Sequence, residues 1–146
     1  MSRSSSTSTA RDTYLNLLRV HEKLFGEFSA LFREHGLTHA QFNVLRILLG
    51  APAGGVPCQY ISERLLNRVP DVTRLIDRME AAELVRRERS TEDRRVVLVA
   101  ATRKGKKLCE DLARPVMDLH RRQLAHVSPR KLEQLNKGLQ EILSGS

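Results

Sequence analysis

Catalytic signatures are missing from this chain. It contains no HExxH, no GxxxxGK[ST] and no GxSxG, and the paired glycines Gly54 and Gly55 lack the lysine that a phosphate-cradling loop needs. An enzyme is therefore not expected. Cysteine is scarce: Cys58 and Cys109 lie far apart and form no CxxC pair, so neither a disulfide framework nor a zinc knuckle is signalled, and a reducing cytoplasm fits. Long apolar runs are absent too. Nothing near the N-terminus resembles the apolar core of a signal peptide, and no stretch approaches the ~20 residues that span a bilayer, so a soluble, cytoplasmic protein is expected. His35 and His39 are four apart, but Gly36 and a helix cap at Thr38 separate them into different elements, so they form no helical metal pair. No metal or cofactor is expected. Acidic residues are in deficit, 17 Asp+Glu against 25 Lys+Arg for a net charge of +8, which favours a polyanionic partner such as nucleic acid or an anionic membrane.

What is present is mostly helical patterning. At 146 residues the chain is long enough for one domain with its own core. The opening MSRSSSTST offers no apolar residue after Met1, and residues 1–9 read as a disordered arm. From about Ala10, the residues Tyr14, Leu17, Leu18, His21, Leu24, Phe25, Phe28, Leu31 and Phe32 recur at steps of three and four and line one face of a long helix that Gly36 ends. In LTHAQFNVLRILLG, Thr38 and Gln41 have capping-box spacing, and Phe42, Val44, Leu45, Leu48 and Leu49 supply a buried second helix. APAGGVP reads as a loop.

CQYISERLL predicts a short helix with Ile61, Leu65 and Leu66 inward, and PDVTRLIDRMEAAELV a longer one with Val72, Leu75, Ile76 and Met79 facing the core. The free face of the longer helix carries Asp71, Thr73, Arg74, Asp77 and Arg78. Two short helices joined by a tight turn, the second bearing arginine and small polar side chains, form the arrangement that places a helix in the DNA major groove. Arginine can bond guanine edges bidentately, and threonine can meet a thymine methyl or a phosphate. Gln59 and Tyr60 on the first short helix join Asp71, Thr73, Arg74 and Arg78 as DNA-binding candidates. Among proteins at large, a solvated amphipathic helix is the commoner origin of such a face. The turn NRVPD puts Arg68, a poor N-cap, at the expected cap position, with Asn67 as the substitute cap. Asp71 has a place at the groove only if it accepts from a cytosine amine or pairs with Arg74.

Next, LVRRERS and RRVVLVAAT are two β-prone runs separated by the polar turn STED, which predicts a hairpin directly after the candidate recognition helix. Helix, turn, helix and hairpin in that order describe a winged helix-turn-helix within a mainly α chain. This sequence resembles the MarR family of bacterial transcriptional regulators, whose wing carries D-x-R-x-x-x-V followed by a threonine that starts the next helix. Here those positions are Asp93, Arg95, Val99 and Thr102, while LTHAQFNVL and VTRLIDRMEAAELVRRE are similar to the family's second helix and recognition helix. Arg95, two residues from Asp93, is close enough for a charge-assisted bond that stiffens the turn, and Arg94, with opposite strand parity, can point outward. The resemblance implies that Arg94 enters the minor groove. Arg86, Arg87 and Arg89 read as phosphate contacts or solvated charges, with Arg87 retained among the DNA-binding candidates alongside Arg94 and Arg95.

Beyond Thr102, Leu108, Leu112, Val116 and Leu119 run along a long helix expected to break or bend at Pro115, and Ser128 caps a last helix with Pro129 in its first turn and a stripe of Leu132, Leu135, Leu139 and Ile142. The resemblance implies dimerisation helices over residues 10–36 and 103–146 around a DNA-binding lobe over 38–102. It also implies a homodimer on a palindromic or pseudo-palindromic operator, and a repressor relieved by a small aromatic or anionic effector, with His21 as a candidate ligand contact. Two alternatives stand beside this one: a weakly specific architectural DNA-binding protein, for which +8 would suffice, and a redox- or metal-responsive regulator of the same fold. Against the latter, the sequence offers no zinc ligand set, and inert thiols are the stronger reading of Cys58 and Cys109.

Overall fold

A computed structural model describes residues 2–145. In chain order the elements are α1 (Ser2–Glu34), α2 (His39–Leu49), α3 (Cys58–Arg64), α4 (Val72–Ala81), β1 (Val85–Arg89), β2 (Val97–Ala101), α5 (Arg103–Leu124) and α6 (Pro129–Ser144). They form two compact units that divide inside α5, between Ala113 and Arg114. Among the described residues, no helix is long and apolar enough to cross a membrane.

The serine and threonine run corrects one expectation. Residues 2–9, expected in a disordered arm, are helical, and Met1 lies outside the described residues. A helix nucleated by the strongly periodic stretch downstream extends at the gain of one hydrogen bond per added residue, and no proline or glycine opposes it. Thr13 also donates its hydroxyl to the Thr9 carbonyl at 2.8 Å. The absence of apolar residues shows instead as exposure, since residues 6–9 are all solvent-facing. At its other end α1 closes with a reciprocal pair, Leu37 N–H to Phe32 O at 2.9 Å and Gly36 N–H to Arg33 O at 3.0 Å, which requires the left-handed φ of +74° that Gly36 adopts.

The capping box of α2 is formed, with the Thr38 hydroxyl accepting from Gln41 N–H at 3.2 Å and Gln41 Oε1 accepting from Thr38 N–H at 3.0 Å. Phe42, Val44, Leu45 and Leu48 are buried as expected, but Leu49, the last residue of the helix, is 43% exposed. Phe32, Val44, Leu45, Ile61, Ile76, Met79, Val85, Val99 and Leu112 make up the solvent-free centre of the first unit. Each such side chain contributes about 1.5–3 kcal/mol of burial. α3 stops at Arg64 as Leu65 turns extended, so Leu66 is 71% exposed rather than inward, and Leu65 is half-buried.

The hairpin pairs Val85 with Ala101, Arg87 with Val99 and Arg89 with Val97. The loop before α3 adds a further rung. Val56 N–H donates to Val99 O at 2.9 Å and Val99 N–H to Val56 O at 2.7 Å. That approach needs Gly55, whose φ is +94° and whose Cβ, if present, would stand 2.9 Å from the Val99 carbonyl oxygen. Thr102 then starts α5, accepting from Gly105 N–H at 3.1 Å while its hydroxyl donates to Glu83 O at 2.6 Å. α5 runs through Pro115 without the expected break. In the second unit Ser128 caps α6 as predicted, accepting from Lys131 N–H at 3.3 Å, with Pro129 in the first turn.

Candidate nucleic-acid interface

α4 begins later than the sequence suggested. Its N-cap is Asp71, not Asn67 or Arg68, and the Asp71 carboxylate accepts from Arg74 N–H at 3.0 Å. Pro70 disfavours helix for the residue before it, and aspartate is among the best caps available. One carboxylate oxygen of this DNA-binding candidate is therefore committed to the helix start. Leu75, Ile76 and Met79 are buried and Val72 half-buried, leaving Thr73, Arg74, Asp77 and Arg78 exposed on the opposite face. The helix ends as α1 does, with Leu84 N–H bonding Met79 O and Glu83 N–H bonding Glu80 O, both at 2.9 Å. Here the left-handed position, at φ 61°, is filled by Glu83.

The arginines on α4 and the hairpin divide by what holds them. Among the described residues, the guanidinium groups of Arg74, Arg78 and Arg94 make no hydrogen bond or ion pair, and all three side chains are exposed. Arg95 forks onto Asp93, with Nε to Oδ1 at 3.1 Å and Nη2 to Oδ2 at 3.2 Å, and its backbone N–H bonds Oδ1 at 3.1 Å as well. The side-chain bond and then the backbone bond from Arg95 hold the Asp93 carboxyl below its ordinary value. The Ser90 hydroxyl accepts from the Glu92 and Asp93 amides, and Arg89 reaches the Arg94 carbonyl at 2.8 Å, so the tip is knitted from several sides. Residues 90–96 form the turn and β2 begins only at Val97. Strand parity therefore does not separate Arg94 from Arg95, whereas the Asp93 bond does.

Arg87, expected at the interface, is otherwise engaged. Its guanidinium meets Asp77 Oδ1 at 2.6 Å, Glu80 Oε1 at 3.2 Å and the Thr73 carbonyl at 3.3 Å, and its backbone N–H donates to Glu80 Oε2 at 3.1 Å. The side chain is only 21% exposed. Partial burial works against its charge, but the hydrogen bond to Asp77 and the charges of Asp77 and Glu80 outweigh it and hold the guanidinium above its ordinary value. Sequence reading missed Asp77 and Glu80 as its partners. The available signal was their i, i+3 spacing on the rim of α4 just before a strand of arginines. On α3, Gln59 Nε2 donates to Glu63 at 3.1 Å, and the half-buried Tyr60 lies under the Arg64 guanidinium at 3.5 Å.

His21 lies on an exposed face of α1, away from these groups in sequence and element. It stacks on Phe25 at 5.3 Å, and Phe25 stacks on His39 at 4.4 Å. Burial, only partly offset by a backbone hydrogen bond and reinforced by the charge of His21, keeps His39 below the ordinary histidine value. Cys109 is buried, and that burial pushes its thiol up against the opposing influence of Arg46, so it stays protonated. Cys58 is half-buried, and among the described residues no group of three His, Cys, Asp or Glu converges to hold a metal.

The lobe so assembled presents a helix with unengaged arginines beside a stiffened arginine-tipped hairpin, the geometry of a DNA reader. The sequence profile of the MarR family matches residues 35–96, which run from the end of α1 into the wing. The homoprotocatechuate degradative operon repressor of Escherichia coli is 26% identical over 128 residues, covering 88% of this chain and 85% of that protein. A MarR transcription factor from Planctomyces limnophilus is 38% identical, with 89% of this chain and 94% of that chain covered at a TM-score of 0.70. A cysteine-to-serine mutant of MarR from E. coli, solved in complex with operator DNA, is 25% identical, with 87% and 90% covered at a TM-score of 0.78. Fold, site geometry and kinship converge: the chain belongs to the MarR family of DNA-binding transcriptional regulators and is not an enzyme.

Proposed function

We propose that the protein is a homodimeric repressor that reads a palindromic or pseudo-palindromic operator through α4 and the wing and releases it on binding a small effector. One observation carries the DNA-reading part: on α4 and the wing tip, Arg74, Arg78 and Arg94 are unengaged while neighbouring arginines are tied to protein groups. Thr73, Arg74 and Arg78 face bases or phosphates from α4, with Asp71 at its cap; Gln59 and Tyr60 flank them on α3; and Arg94 probes the minor groove from a tip that Asp93 and Arg95 brace. The DNA-binding lobe is residues 38–102, and residues 10–36 and 103–146 are the dimerisation helices. Apolar residues left exposed on α1, namely Tyr14, Leu18 and Val20, and on α6, namely Leu135, Ile142 and Leu143, support that assignment.

The effector reading rests on a cavity of about 420 Å³ where α1 meets α2, lined by Phe25, Ser29, Arg33, Leu37, Thr38 and His39. An aromatic wall, a guanidinium and a hydroxyl suit an aromatic or other apolar carboxylate, with His21 at the outer end of the ring stack. The repressor sense is taken from the E. coli operon repressor to which the chain is similar.

The test is the ratio of affinities for the protein's own promoter region and for random duplex at one fixed salt concentration. A sequence-specific regulator gives a ratio of about 10³ or more. A ratio near unity would establish the architectural alternative. Addition of salicylate-like acids should release the promoter fragment and raise the melting temperature, and failure of both removes that ligand class.

A further inference from the structure

We infer that Arg87 is a positioning residue that fastens the wing to the recognition helix, so that α4 and the hairpin meet DNA as one rigid piece, and that it is not a phosphate contact. Arg87 belongs to β1, yet every acceptor of its guanidinium belongs to α4: the Asp77 carboxylate, the Glu80 carboxylate and the Thr73 carbonyl, at 2.6, 3.2 and 3.3 Å. The same Glu80 also takes the Arg87 backbone N–H through its second oxygen, so strand and side chain are held together. The three acceptors are spread over two turns of the helix. A planar guanidinium meets such a set in one orientation, whereas a lysine ammonium cannot reach all three. Asp77 and Glu80 would otherwise stand as bare carboxylates beside a phosphate backbone. With Arg87 between them, half of that negative charge is offset at the edge of α4 nearest the wing.

The proposal rests on the reading of α4 as the DNA-facing helix, and the experiment separates the two. Operator and random-duplex affinities are measured across a salt series for Arg87→Lys, Asp77→Asn and Arg74→Ala, with amide hydrogen exchange of β1, β2 and α2 in the free protein. Arg87→Lys conserves charge and should still lose about tenfold in operator affinity, the scale of one charge-assisted hydrogen bond, with little change on random DNA and an unchanged salt slope. Asp77→Asn is the sharper variant. Removing a negative charge beside DNA tightens binding if charge alone matters, but the fastened wing predicts looser operator binding and faster exchange in β1 and β2 while α2 stays protected. A phosphate contact would instead survive Arg87→Lys, and Asp77→Asn would then tighten both duplexes. Either of those results, with Arg74→Ala still weakening the operator, overturns the clamp. If Arg74→Ala leaves operator affinity untouched, the assignment of α4 is what fails, and the exchange data alone decide whether Arg87 fastens the hairpin.

Discussion

Glu83 carries a positive φ of 61° in the turn that ends α4, a conformation that disfavours any side chain with a Cβ. Its neighbours hold it there, because its carbonyl accepts the Thr102 hydroxyl at 2.6 Å and its amide closes the helix onto Glu80. Glu83→Gly should therefore raise stability by about 0.5–1 kcal/mol, read as a higher denaturant midpoint with an unchanged slope. A loss of stability would mean that the Glu83 side chain contributes more than its backbone costs. His39 gives a pH prediction with a definite sign. Burial lowers its folded-state value below that of the unfolded chain, so above the ordinary histidine range the group is neutral in both states. As pH falls below that range the unfolded chain takes up the proton first, and stability declines until the folded value is passed. His39→Phe keeps a ring to stack on Phe25 and should flatten this part of the stability profile, measured by chemical denaturation between about pH 7.5 and 5. Features at this scale were legible where both partners lie within a few residues. The Thr38 and Ser128 caps and the Asp93–Arg95 bond follow from spacing alone, and Glu83 escaped notice because nothing local marks it.

At the scale of elements, α4 and the wing were legible from apolar periodicity and the turn STED, while the roles of their arginines were legible only in part. Arg74 lies on the polar face opposite Leu75, Ile76 and Met79 with no protein partner for its guanidinium among the described residues. Arg74→Ala should weaken operator binding by ~1–3 kcal/mol and random-DNA binding by less. Equal losses would reassign Arg74 to a phosphate. Arg94 and Arg95 should fail differently. Arg94→Ala is expected to leave thermal stability nearly unchanged but to flatten the salt dependence of log K by up to about one unit of slope. Arg95→Ala should mimic Asp93→Ala, and in a double-mutant cycle on DNA affinity Asp93 should couple to Arg95 and be additive with Arg94. Since the Arg95 side chain is 91% exposed, the pair adds little to global stability, and its loss should register as a disordered tip. The Asp93 carboxyl is held down by Arg95, so this brace is complete above the ordinary carboxylate range and is lost as pH falls through the depressed folded value.

The whole molecule leaves apolar surface uncovered on its terminal helices, from Tyr14 and Leu18 on α1 to Ile142 and Leu143 on α6, with Leu143 at 85% exposure. Under the proposed dimer, the wild type should sediment as a two-chain species at micromolar concentration, and Leu18→Asp should shift it toward one chain by placing a carboxylate in the dry interface. A wild type that sediments as a monomer would remove the basis for paired half-sites.

Sequence by itself determined the order of the elements, most of the buried positions, the caps of α2 and α6 and the bond that stiffens the wing tip, because each depends on spacing within about one or two helical turns or one tight turn. Tertiary structure decided the rest. Leu66 became exposed because α3 stops two residues short, and Val56 joined the sheet because the Gly54–Gly55 loop folds back to Val99. Arg87 was turned from DNA toward α4 because its acceptors, Thr73, Asp77 and Glu80, are fixed beside it only when β1 packs on the helix. A chain of like-charged arginines reads the same in sequence whichever way each one points. Which arginine meets a carboxylate and which is left for a phosphate is set by contacts between elements, and those exist only in the folded state.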